Sequence, residues 1–174
     1  MLHKISTHLI IYNFVDQFKT WSNFMNRSRS KKITRGKFLP LPAPIVRATS
    51  LQNHLALEAL RSRHGASLHA TFLFRAVYLT YLLCDANDQH KKTDTFQEAE
   101  AALGRCSHRA QAGGSWQLPE SDIDVFHCVL TLHDKQLQSV PAHLYEAACE
   151  QLLNYVVNGG EPVIRAAAGD ECVQ

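Results

Sequence analysis

At 174 residues, with 45% apolar and 20% charged side chains and a formal charge of +2, the chain has the composition of one globular domain. That balance excludes a disordered polyelectrolyte, and a chain of this length buries roughly two thirds of its unfolded surface without needing staples. The small total hides a split: residues 1–92 hold fourteen Lys/Arg and four Asp/Glu, whereas residues 93–174 hold four and twelve, so a basic front of +10 faces an acidic back of −8.

The first segment places Ile5, Leu9, Phe14, Phe18, Trp21 and Met25 at roughly helical spacing, widened by Ile10, Ile11 and Val15. Asn13, Asp16 and Gln17 interrupt it too soon for a signal peptide or a bilayer span. It reads either as an amphipathic surface helix or as an extension ahead of a start at Met25. Next, R-S-R-S-K-K-I-T-R-G-K over 27–37 gathers Arg27, Arg29, Lys31, Lys32, Arg35 and Lys37 with no acid and one apolar residue. Such a stretch has too little to bury and is expected to be a mobile arm. Pro40, Pro42 and Pro44 then predict an extended, polyproline-like spacer through Val46.

Thr49 and Gln52 form a capping-box pattern ahead of Leu51, Leu55, Ala59 and Leu60, which predicts a helix over 50–64 that stops at Gly65. Residues 66–86 are apolar on most sides (Phe72, Leu73, Phe74, Val77, Leu79, Leu82, Leu83), the pattern of a helix at the centre of a bundle. Arg75 near its middle argues against a membrane span and asks for an acidic partner such as Glu58 or Glu98. Polar residues 85–92 read as a loop. A third helix is expected from Asp94 or Thr95 to about Ala110, with Phe96, Ala99, Ala102, Leu103 and Cys106 inward. Pro119 opens a fourth, whose stripe is Ile123, Phe126, Leu130, His133 and Leu137, with Glu120, Asp122 and Asp124 suiting its N-terminal dipole. A fifth starts at Ser139-Val140-Pro141, buries Leu144, Ala148, Leu152 and Tyr155, and ends at Gly159-Gly160.

Sites of chemistry are scarce. No two of the ten His stand three or four apart, the five Cys (Cys84, Cys106, Cys128, Cys149, Cys172) never form C-x-x-C, and Cys84, Cys106 and His127 could meet only across helices. Widely spaced and odd in number, the cysteines read as small apolar residues in a reducing, cytoplasmic compartment, with Cys172 a free thiol near the end of the chain. There is no G-x-S-x-G elbow and no phosphate loop, since Gly113-Gly114 lacks a following Lys. Arg75 and His133 are the candidate buried polar groups.

The expectation is an all-α, four- to five-helix up-and-down bundle over 49–160. An N-terminal amphipathic segment or non-native extension (1–25) and a basic arm with its Pro-rich spacer (26–48) precede it, and a tail (161–174) follows. Its expected role is non-enzymatic, without metal or cofactor: an accessory or regulatory protein of transcription whose arm contacts nucleic-acid phosphates nonspecifically, while the bundle meets a protein or a second copy. Two readings compete. Residues 5–37 would suit a peripheral membrane protein that adds a basic cluster to an amphipathic helix. A pocket around Arg75 and Tyr78 would suit a small-ligand binder or an enzyme.

Overall fold

A computed structural model describes residues 38–158 and Ile164. Five helices follow in order: α1 (Ala43–Arg61), α2 (Ser67–Leu83), α3 (Ala86–Gln111), α4 (Glu120–Ser139) and α5 (Ala142–Asn158). The fold is an all-α bundle, as the periodicity indicates. Its centre is α2, which lies against each of the other four helices; α4 also packs on α1 and α3. Ala70, Phe72, Leu73, Ala76, Val77, Tyr78 and Leu79 of α2 are all buried, so this helix is enclosed nearly all round. Its buried threonines avoid orphaned hydroxyls by donating to their own helix, Thr71 to the Ser67 carbonyl (2.9 Å) and Thr80 to that of Ala76 (2.6 Å).

Two helices begin earlier than their sequence signals. α1 starts at Ala43, seven residues before the expected position, with Pro42 as N-cap and Pro44 in its first turn. Proline lacks only an N–H that the first turn leaves unpaired anyway, so residues 43–46 are helical where an extended path was expected. α3 starts at Ala86, and the polar residues 86–92 read as a loop are its first turns. Thr49-x-x-Gln52 is therefore interior to α1 rather than a cap, and Asp94 and Thr95, the expected start of the third helix, lie inside α3.

α1 also presents a different face. Its buried set is Thr49, Asn53, Ala56, Leu57 and Leu60, whereas Leu51 and Leu55 are 60% and 59% exposed. In α5 Tyr145, Ala148, Cys149, Leu152 and Val156 are buried, while Leu144 is 49% exposed. The stripes of α3 and α4 are inward as expected. Ile164, within the segment expected as a loose tail, is buried in the core.

Short connections fix the helix ends. The Ala66 backbone N–H donates to His69 Nδ1 (3.0 Å), closing the start of α2. Between α3 and α4 the chain passes the end of α1, where Leu118 N–H donates to the Leu60 carbonyl (2.9 Å). Gly65 meets this loop so closely that a Cβ there would collide with the Trp116 carbonyl oxygen. Ahead of α1, Pro40 pairs antiparallel with Pro141, and Ala142 N–H donates to the Leu39 carbonyl (2.9 Å).

Candidate functional site: a polar cluster inside the bundle

The six arm residues Arg27, Arg29, Lys31, Lys32, Arg35 and Lys37 lie outside the described residues, as does the amphipathic segment 5–25. Of the other sequence candidates, Arg75 and His133 lie on the adjoining helices α2 and α4. Arg75 projects from the middle of α2 and is half-buried. It does not meet Glu58 or Glu98. Its Nη2 donates to Gln52 Oε1 on α1 (3.1 Å), and its guanidinium carbon lies 5.6 Å from the centre of the Phe72 ring. Glu58 turns instead to Arg61 (3.8 Å), and Arg61 makes a forked contact with Glu120 of α4 (2.8 and 3.1 Å). Among the described residues no carboxylate stands at ion-pair distance from Arg75.

Three buried groups on α4 and α5 feel its charge. His133 of α4 is 1% exposed, and burial pushes its imidazole down to about 4, with the Arg75 charge adding to the shift and Asp134 opposing it. On α5 the Tyr145 hydroxyl and the Cys149 thiol are hydrogen-bonded to each other. Burial raises both, Cys149 to about 12, while Arg75 pulls each the other way and the Glu146 and Glu150 carboxylates add to the rise at Cys149. Asp134 is engaged elsewhere, accepting from His54 Nε2 of α1 at 2.9 Å.

This interior is incompletely paired. Both amide atoms of Asn53, the residue after Gln52, are buried without a hydrogen-bond partner; so are His133 Nδ1 and Gln136 Oε1. Gln136 uses its amide nitrogen on the Thr80 carbonyl (3.1 Å) and on Cys84 Sγ (3.5 Å). Orphaned polar atoms of this kind are uncommon in native interiors, at about 1–3 kcal/mol each, and these fall on α1 and α4, two helices packed against α2. Sequence reasoning found Arg75 and His133. It missed Asn53, whose signal was drowned by the louder leucines at 51 and 55.

Tyr78 belongs to a second, closed arrangement. Its hydroxyl donates to Glu100 of α3, its ring is stacked on Tyr155 (centroids 5.6 Å) and tilted against Phe74 (4.3 Å), and burial raises its pKa far above the usual phenol range. Tyr78 thus packs α2 onto α3 and α5 rather than lining a site with Arg75. The thiols also divide: Cys106 and Cys149 are buried, Cys84 is half-buried, and Cys128 is exposed, a departure from the expected core role. Among the described residues no group of three His, Cys, Asp or Glu could hold a metal ion, and Cys84, Cys106 and His127 are not brought together as such a set. No described helix is long and apolar enough to cross a membrane.

No family model, no curated protein and no solved structure matches the chain.

Proposed function

We propose that the chain is a non-catalytic helical binding module of the cytoplasm, whose cationic stretch Arg27, Arg29, Lys31, Lys32, Arg35 and Lys37 holds nucleic-acid phosphates without reading sequence. The observation that carries this reading is where the charge lies. Residues 1–37 hold eight Lys/Arg and one Asp/Glu, whereas the span 38–158 that contains all five helices holds nine and twelve. Positive charge is thus concentrated ahead of a helical body that is itself net acidic. A polyanion is drawn to the leader and repelled by the body, which favours contact through the leader alone. Two features of the body fit a binding role. The groups whose titration burial disturbs most (Tyr78, His133, Tyr145, Cys149) are all pushed toward their neutral forms. The exposed pair Leu51 and Leu55, one turn apart on α1, offers a protein partner or a second copy an apolar face.

Fluorescence anisotropy with unrelated duplexes, repeated across a salt series, tests the proposal. If all six cations engage phosphate, log K falls with log[salt] at a slope of about −5, and the affinity is alike for every duplex. Replacing the six by Ser abolishes it. Binding that survives those replacements, or that requires vesicles of anionic lipid rather than a duplex, overturns the reading.

A further inference from the structure

Beyond contact through the leader, we propose that Arg75 is the receptor for a small oxyanion, a carboxylate or phosphate group, which binds from solvent at the α1–α2–α4 junction.

The inference starts from an imbalance. A half-buried guanidinium is commonly matched by a carboxylate, which its planar fork fits. Here the half-buried Arg75 has an amide, Gln52, and an aromatic face, Phe72, for partners. Among the described residues none of the nearby acids pairs with Arg75: Glu58 is with Arg61, Glu100 with Tyr78 and Asp134 with His54, Glu98 is exposed on α3, and Glu146 and Glu150 of α5 act on Cys149 without reaching Arg75. Its neighbours His133, Tyr145 and Cys149 carry no negative charge at neutral pH.

The surroundings hold Arg75 in a shape that suits a receptor. Gln52 fixes one terminal nitrogen, and the Phe72 ring lies against the guanidinium. A fork oriented in this way presents its remaining N–H groups to two oxygens of one carboxylate or phosphate. The orphaned amide of Asn53 and the orphaned Nδ1 of His133 stand on α1 and α4, which both pack on α2, and His133 is close enough to feel the Arg75 charge.

The test uses the full chain with its six arm cations replaced by Ser, so that phosphate bound there does not interfere. Inorganic phosphate and acetate are titrated separately, at ionic strength held constant with chloride, while the Arg75 Nε–H, Asn53 side-chain amide and His133 imidazole resonances are followed by NMR. A saturable shift of the Arg75 resonance with either anion is the expected result, and the tighter of the two names the class. In Arg75→Gln, saturable binding weakens about tenfold or more, and Arg75→Lys, which keeps the charge without the fork, does not restore it fully. A bound anion also offsets the field of Arg75, so the His133 imidazole titrates at higher pH when the site is filled. Gln52→Leu, which frees the fork without removing charge, weakens binding less and serves as the second variant if Arg75→Gln fails to fold. No saturable shift at Arg75 with either anion overturns the proposal, and so does a shift elsewhere that Arg75→Gln leaves intact. Failure here leaves duplex binding untouched, since that assay depends on residues 27–37.

Discussion

His133 is the residue with the clearest measurable consequence. In the folded chain its imidazole is fully enclosed and pushed down to about 4, while in the unfolded chain it titrates at an ordinary value of about 6.5. The unfolded state therefore takes up a proton first as the pH falls. The contribution of the neutral imidazole is complete above about 6.5 and is lost progressively between there and about 4, on the order of 3 kcal/mol in all. The charged groups that act on it pull in opposite directions, Arg75 lowering its pKa and Asp134 raising it. His133→Leu should remove this dependence. Denaturant unfolding at pH 7 and pH 4.5 checks it: the difference between parent and variant stability should change sharply between the two. A difference that stays constant would mean that the imidazole is solvated. At this scale much was legible. A histidine in the register of Ile123, Phe126, Leu130 and Leu137 has to be inside, and it is. Arg75 was also legible as a problem to be solved, although charge arithmetic pointed to acids and the fold supplied Gln52.

At the level of elements, packing overrides the local signals that usually mark helix ends. α4 could be read directly because its apolar residues keep to one side. α1 could not, because Leu51 and Leu55 dominate any count of hydrophobicity, while the true inward face carries Thr49 and Asn53. Its start was hidden by prolines that a first turn tolerates, and the start of α3 by a polar stretch that does not need burial to be helical. Gly65 tests how the elements are joined. The Trp116 carbonyl that a Cβ would strike cannot easily withdraw, since two residues later Leu118 is bonded to the end of α1. Gly65→Ala should destabilise the fold by about 2 kcal/mol, seen as a lower urea midpoint with an unchanged slope.

Across the whole molecule, the core reaches further along the chain than the five helices. Leu41 precedes α1 and Ile164 follows α5, yet both are buried in the same cluster as the centre of α2. Composition alone made residues 161–174 look like an idle end, because Val163, Ile164 and Val173 among polar and small residues form no helical or strand period. Ile164→Ala should cost about 2 kcal/mol, and a chain ended at Asn158 should melt lower by a similar margin. Calorimetry would show either loss; an unchanged melting temperature would place Ile164 outside the cooperative unit. The charge partition, by contrast, was visible from the start, since it is a property of order along the chain and not of packing.

The pairing of Pro40 with Pro141 bears on how the protein behaves at high concentration. Extended backbone beside a helical body is a place where a second molecule can add a strand and begin a fibril. Neither proline has an N–H to offer, so the short ladder rests on the Ala142 amide alone and cannot grow sideways into a sheet. The same two rings that spare the junction from recruiting neighbours leave Phe38 and Leu39 beside it safely open to water.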